Sequence, residues 1–321
     1  MGIRVIKSGM LSTIQDLGRK GYRKDGIIVS GAMDALALRI GNLLLGNPEG
    51  TGGIECTLTG PVLSFESAQL ICITGADLSA DIDGVQVKMW RPLFVKQGSI
   101  LTFGAAISGC RAYVQVLGGF KLPLVLSSQS TYLKAGFGGV EGRALKIGDQ
   151  LSFNVPYLAL PVKSNWSTDL SKIYPNLQSS VIRIVAGPEY EWFTERAKLA
   201  LVEQTFVLDA AADRMGCRLN GPALELQQSR ELLSSAVDFG TLQITGDGSA
   251  ILLMADHQTT GGYPRIANVA SVDLTLLAQM RTGHHLRFEM ITLEQAHELL
   301  KQREKQMKQL KHTLMLREGF K

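Results

Sequence analysis

The side chains in this sequence that can do chemistry are carboxylates, guanidiniums and hydroxyls, and they are densest in residues 251–268, ILLMADHQTTGGYPRIAN. Four apolar residues, Ile251 to Met254, read as a buried strand. They deliver Asp256, His257, Gln258, Thr259 and Thr260, then Gly261-Gly262, then Tyr263-Pro264-Arg265. A strand that empties into polar residues and a glycine pair presents side chains and backbone N–H groups to a ligand. The glycines permit φ > 0, and Pro264 stiffens the exit. An ordinary strand–turn–strand corner can carry the same letters.

Further candidates are Ser30, Asp34 and Arg39, the Asp77 that ends Thr74-Gly75-Ala76-Asp77, the pair Asp213-Arg214, and Gly138, Gly139 and Arg143 in a glycine-rich segment. Carboxylates serve as bases or hold amide N–H groups, and arginine neutralises an oxyanion or a phosphate. Asp34 with Arg39, and Asp213 with Arg218, read equally well as structural ion pairs near a helix start. Residues 136–143 resemble a phosphate cradle but match neither Walker A nor GxGxxG. A lid or plain surface loop is the more ordinary reading.

Several familiar chemistries have no residues to carry them. There is no GxSxG, no HExxH and no His/Cys cluster at metal-ligand spacing, so no metal is expected. His284-His285 read as structural neighbours on opposite faces of a strand. Cys56, Cys72, Cys110 and Cys217 form no CxxC pair, which argues against a zinc ribbon or redox dithiol and for buried free thiols. A net charge of +4 makes no case for nucleic acid. The start MGIRVIKSGM lacks the apolar run of a signal peptide, and no segment is long enough to span a membrane. The expectation is a cytoplasmic protein, in which the sequon at Asn165 carries no weight.

The elements that must position these residues come next. A chain of 321 residues, 45% hydrophobic and 19% charged, predicts a globular protein of two domains. Ile3-Arg4-Val5-Ile6 predicts a strand, residues 13–19 a surface loop, and Ile27-Ile28-Val29 a short strand. From Ala35 the apolar residues Leu36, Ile40, Leu43 and Leu44 predict a helix capped by Ser30 or Asp34 and stopped by Gly46-Asn47-Pro48. Residues 53–153 carry short apolar runs punctuated by Gly and Asp, the pattern of a barrel or sandwich. Residues 156–180 read as a linker. After it, Ile182-Arg183-Ile184-Val185 repeats the opening strand at an offset of 179 (Arg183 against Arg4). That frame also sets Asp34 on Asp213, Arg39 on Arg218 and Asp77 on Asp256, which predicts an internal duplication. Thr292 and Gln295 have capping-box spacing before a long amphipathic helix. The expected division is residues 1–160, a linker at 161–180, 181–292, and a closing basic helix at 293–321.

Five motifs occur in order: TIQDLGRKGY at 13–22, SGAMD at 30–34, TGAD at 74–77, DRMG at 213–216 and TTGGYPR at 259–265. Together they resemble the family of the 5-oxoprolinase C subunit, or KipA-type proteins, which includes allophanate hydrolase subunit 2 and the carboxyltransferase region of urea carboxylase. The resemblance spans nearly the whole chain. It implies a mainly β fold with some α, built as two tandem cyclophilin-like β-barrel domains related by internal duplication. The activity it implies is ATP-dependent opening of 5-oxoproline to glutamate, in a complex with the A subunit and a KipI-like B subunit of 5-oxoprolinase. Biotin enters only under the alternative of a carboxyltransferase-like subunit for urea or a related amide. The non-enzymatic alternative is a regulator that binds a KipI-type kinase inhibitor. On this reading Asp256, Asp77, Thr260 and Tyr263 are the catalytic candidates. Ser30, Asp34, Arg39, Asp213, Arg214, Thr259, Gly261, Gly262, Arg265, Gly138, Gly139 and Arg143 are the substrate- or phosphate-binding ones. Asp256, Thr259, Thr260 and Tyr263 are expected to line a cleft. Two positions depart from the family pattern: His257 stands where Arg is frequent, and Cys217 where an aromatic residue is more usual.

Overall fold

The structure is a computed structural model and describes residues 1–155 and 168–316. The sequon at Asn165 and the first part of the expected linker lie outside the described residues. The chain forms two compact units, one of residues 1–19, 30–175 and 306–321, the other of 20–29 and 176–305. The break therefore falls at 175/176. Residues 20–29 group with the second unit, and the closing helix does not stand as a segment of its own.

In the first unit, two antiparallel sheets enclose a core. One has the strand order Gln150–Ser152, Gly2–Lys7, Val62–Phe65, Ile100–Thr102, Asp81–Ile82, Val85–Gln86. The other runs Leu11–Gln15, Gly53–Thr57, Ser108–Val116, Gln69–Asp77, Leu93–Val95. Ile3 and Val5 pair with Phe65 and Leu63 and point inward, while Arg4 between them stays exposed. This is the period-2 pattern of a half-buried strand. Gln69–Asp77 is buried on both faces. Its Ile71 and Ile73 join Ile3, Ile14, Ile54 and Val114 in the inter-sheet core. Its Leu70 and Cys72 pack on the other side, against Leu36, Ile40, Leu43 and Leu44 of helix α1 (Ala35–Leu44). As expected, Asp34 caps α1, its Oδ1 accepting from the N–H of Ala37 at 3.0 Å.

Two expectations fail here. Residues 13–19 are no surface loop, because Leu11–Gln15 is a strand paired with Gly53–Thr57. Its polar letters mislead because their partners are buried with them. Gln15 Nε2 donates to Thr13 Oγ1. Asp16 accepts from the hydroxyls of Ser128 and Ser130 and from the N–H groups of Gly18 and Gln129. Residues 27–29 form no strand; Ile28 is buried without a ladder.

In the second unit, seven strands close a barrel in the order Val181–Ala186, Arg265–Val269, Thr241–Ile244, Ala250–Leu253, Gly216–Asn220, Phe206–Leu208, His285–Met290. The last strand returns to the first in parallel. Ile182, Ile184, Leu242, Leu252, Phe206, Leu286 and Phe288 are buried, and closure leaves no open edge. Helices α2 (Glu195–Glu203) and α3 (Leu274–Gln279) lie outside the ladder, α2 capped by Thr194. A separate two-stranded sheet pairs Ser235–Ala236 with Thr260–Gly261. The fold is thus mainly β with some α, as the motifs imply, and it contains a closed barrel.

The 179-residue frame fails at particular residues. Asp34 caps a helix, whereas Asp213 closes a turn before the strand Gly216–Asn220. Asp77 is the last residue of its strand and pairs with Ser108, whereas Asp256 lies beyond the end of Ala250–Leu253. Matched letters at one offset do not encode matched hydrogen-bond ladders.

Among the described residues no helix is long and apolar enough to cross a membrane. All four cysteines are buried and free, and burial pushes the thiols of Cys56 and Cys72 upward.

Helix α4 (Leu293–Met315) begins with the expected capping box: Gln295 N–H donates to Thr292 Oγ1, and Thr292 N–H to Gln295 Oε1. Its residues Met307, Leu310 and Leu314 complete the α1 core of the first unit, so they are packing groups and not a free solvated face. Leu310→Ala is expected to lower stability by about 2–5 kcal/mol. Leu300→Ala, at a site 36% exposed, should change it by less than about 0.5 kcal/mol. Urea denaturation of the two variants tests the contrast.

Candidate functional site

In the second unit, the strand Ala250–Leu253 ends where a buried ion pair begins. Arg214 Nε and Nη2 each donate to one carboxylate oxygen of Asp256, both at 2.9 Å. Both side chains are at least nine-tenths buried. Backbone bonds hold the same place, Asp256 N–H to Arg214 C=O at 2.6 Å and Met254 N–H to Met215 C=O at 3.0 Å. Asp213 supplies the geometry, its Oδ1 accepting from the N–H groups of Met215 and Gly216. The motif DRMG is therefore a carboxylate-closed turn that aims Arg214 at Asp256. A carboxylate with both oxygens on one guanidinium is a holding group. Asp256, the expected base, is held here by Arg214.

Beyond the pair, the chain enters the small sheet. Val237 N–H donates to Thr259 C=O, and Gln243 Nε2 to Tyr263 C=O. Gly261 lies close under the Gln243 amide: a Cβ there would sit 2.5 Å from Gln243 Nε2 and oblige that side chain to shift. The positive φ expected for Gly261 and Gly262 is not used: neither residue has one. Arg265 donates to both oxygens of Glu189, at 2.8 and 2.7 Å, and to the carbonyl of Ala236. Burial acts to raise the Glu189 carboxyl, and the bonds from Arg265 outweigh it and hold it below its ordinary value. Thr260 is exposed, Thr259 half-buried, and Tyr263 is 47% exposed. These residues thus lie on a segment anchored by two Arg–carboxylate pairs, one buried and one partly buried.

His257 is 5% exposed, and its Nδ1 lies 2.6 Å from the carbonyl of Gln258. Burial pushes its pKa down, and Arg23 adds to this. Arg23 itself donates to Asp238 and to the carbonyl of Val237. Arg23, Glu189, Asp238 and Gln243 are absent from the sequence candidates. Each is far from the loop it supports or precedes it without a motif, and no spacing announces them.

The first-unit candidates fall into separate sets. Asp34 accepts from the hydroxyl of Tyr174 at 2.5 Å. Its N–H donates to Tyr113, whose hydroxyl donates to Glu55. Arg39 pairs with Glu49. Asp77 accepts from the N–H of Ser79 in a local turn. Ser30, at φ 56, donates to the carbonyl of Thr131. Gly138 and Gly139 also lie on this segment: a Cβ would meet the Ser130 carbonyl oxygen or Thr131 Oγ1 at 2.0 Å.

The N–H groups of Gly136, Gly139 and Gly142 all donate to carbonyls of the chain, so these three are not offered to a phosphate. Arg143 is held by Asp149 and Glu141. A nucleotide phosphate would have to displace Asp256, Glu189 or Asp149 to reach Arg214, Arg265 or Arg143. These residues do not fit an ATP site. Among the described residues no group of three or more His, Cys, Asp or Glu could hold a metal.

Comparison with known proteins agrees with this architecture. The carboxyltransferase domain family, subdomains A and B, matches residues 25–290. The C subunit of 5-oxoprolinase from Haemophilus influenzae is 42% identical over 94% of this chain and 96% of its own length. The 5-oxoprolinase C subunit of Escherichia coli is 38% identical over 92% and 93%. Urea amidolyase of Saccharomyces cerevisiae is 30% identical over 98% of this chain but only 18% of its own. Among solved structures, urea carboxylase of Kluyveromyces lactis superposes with a TM-score of 0.89 at 28% identity, over 99% of this chain and 29% of the other.

Two outcomes follow from the anchored segment. Asp256→Asn strips the charge opposite a buried Arg214 and should cost about 3–5 kcal/mol, whereas Arg214→Met with Asp256→Leu should recover most of it; chemical denaturation reads both. His257 contributes a pH dependence, because its folded value lies below its ordinary one. Above the ordinary histidine pKa its contribution is fully present. As pH falls through that value the unfolded chain binds the proton first and stability drops. His284 acts in the same direction. Thermal melts between pH 8 and 5 should show a smaller fall for His257→Gln than for the wild type.

Proposed function

This chain belongs to the carboxyltransferase-domain family, subdomains A and B, and on that premise we propose that it serves as the C subunit of an ATP-dependent 5-oxoprolinase complex. The complex, formed with the A subunit and a KipI-like B subunit, opens 5-oxoproline to glutamate. The observation that carries this reading is the end-to-end match to C-subunit relatives, which is 96% and 93% of their own lengths. The urea amidolyases match this chain only as a fraction of a much longer one.

A lactam resists hydrolysis because amide resonance lowers the electrophilicity of its carbonyl carbon. ATP supplies the driving force in the assembled complex. Because the candidate cations Arg214, Arg265 and Arg143 are engaged by carboxylates, that chemistry is assigned to its partner subunits. The contribution of this chain is binding and orientation. The hydroxyls of Thr259, Thr260 and Tyr263 are donors for the substrate carbonyl, where negative charge develops as the ring opens. The Arg214–Asp256 and Arg265–Glu189 pairs keep those donors from reorganising, which is what gives such donors their value.

A second reading is favoured by the structural likeness to urea carboxylase: a carboxyltransferase-like subunit for urea or a related small amide. The same exposed hydroxyls suit the neutral ureido group of biotin, whose carboxylated form would supply the carboxyl group.

Mixing the chain with the A and B subunits should give ADP release that depends on 5-oxoproline, with little ATPase from the chain alone. Thr260→Val should lower turnover in the complex by about 10²–10³-fold with its melting temperature unchanged. Wild-type turnover in that variant would return the segment to a structural corner. Carboxylation of urea by a biotin carrier, with no lactam turnover, would establish the second reading instead.

A further inference from the structure

Three carboxylates surround the segment at 256–265, and each is engaged by an arginine: Asp256 by Arg214, Glu189 by Arg265 and Asp238 by Arg23. His257 differs from them. A carbonyl oxygen can only accept, so the contact to Gln258 places the proton on Nδ1. In the neutral ring, Nε2 then carries a lone pair and no proton. Among the described residues Nε2 has no hydrogen-bond partner, and it is not among the side-chain atoms sealed from solvent. The ring as a whole is only 5% exposed, so it is a fixed acceptor in a wall of the fold rather than a mobile surface imidazole.

We propose that His257 Nε2 is the acceptor that recognises the N–H of a cyclic secondary amide, making His257 a specificity-determining residue of this site. The inference rests on the lactam reading above and names the atom that distinguishes a lactam from its oxygen analogue. A lactam is locked as a cis amide, so its N–H and C=O lie side by side on one edge of the ring. That edge needs one acceptor and one donor as neighbours. His257 offers the acceptor, and the hydroxyls of Thr259 and Thr260, two and three residues further on, offer donors.

Neutrality of the ring is the condition for this role, and its surroundings secure it. Burial, the largest influence, and the charge of Arg23 disfavour the imidazolium, while the hydrogen bond to the Gln258 carbonyl and, after it, Asp238 and Asp256 oppose them. Asp238 and Asp256 are themselves each paired with an arginine, which weakens that opposition. The net direction is downward, so the acceptor is present at neutral pH and disappears as the pH falls below the lowered histidine value.

The test uses the complex reconstituted with the A and B subunits, with 5-oxoproline as substrate and the isosteric γ-lactone, ring oxygen in place of N–H, as competitive inhibitor. In the wild type the lactone should bind at least about tenfold more weakly than the lactam, because Nε2 is left unpaired. His257→Phe should raise KM on the order of tenfold or more with kcat little changed, and should close the gap between lactam and lactone. His257→Gln, whose carbonyl can accept, should recover part of the loss and remove the rise of KM at low pH. Nitrogen-15 NMR of the imidazole in the isolated chain, assigned by its loss in His257→Gln, should report the Nδ1–H tautomer.

A wild-type KM and an undiminished lactone gap in His257→Phe would overturn the assignment while leaving the lactam reading intact. An Nε2–H tautomer would overturn it as well. Absence of any 5-oxoproline turnover by the wild-type complex would overturn the lactam reading itself, and this inference with it.

Discussion

The buried pair of Arg214 and Asp256 is the contact on which the candidate site depends. Two parallel N–H···O bonds at 2.9 Å, with a backbone bond between the same two residues, join the turn at 213–216 to the end of a barrel strand. An ion pair in the interior stabilises little beyond an apolar pair of the same size, but losing one partner strands a charge. Its value here is geometric: it fixes the point at which the chain leaves the barrel and the direction in which Thr259, Thr260 and Tyr263 are presented.

The same device recurs across the second unit. Arg265 holds Glu189 and the small sheet, Arg183 holds Asp273, and Arg23 holds Asp238. Each arginine also reaches a backbone group or sits beside a chain reversal. Guanidiniums so employed are poor phosphate ligands, since a nucleotide would first have to break a carboxylate pair. The binding chemistry of this chain is thereby separate from the ATP chemistry of the complex proposed for it. Among the candidates at 256–265, the hydroxyls and the His257 imidazole are left to face a substrate.

In the first unit the organising group is Asp16, which accepts from two serine hydroxyls and two backbone N–H groups. It ties the end of a buried strand to residues 128–130. Gly138 and Gly139 then pack against Ser130 and Thr131 so closely that no side chain fits. Packing therefore explains these two glycines, and the N–H groups of Gly136, Gly139 and Gly142 are used within the chain.

Local patterns determined a good deal of this protein. Alternation made the strands at Gly2–Lys7 and Val62–Phe65 legible, apolar spacing with Asp34 marked α1, and Thr292 with Gln295 marked the start of α4. Each depends on contacts a few residues apart or on a period of two or 3.6, and so is written in adjacent letters. The ordered motifs also carried the family and its mainly β fold. Pairing across long distances was decided only by the tertiary structure. Arg39 meets Glu49, Arg265 meets Glu189, and residues 20–29 join the second unit. The 179-residue frame matched letters whose strands pair differently. The polar strand Leu11–Gln15 read as a loop because its burial partners lie far along the chain. The partner of Asp256 was hidden for the same reason: the sequence shows a carboxylate, and only folding brings Arg214 to it.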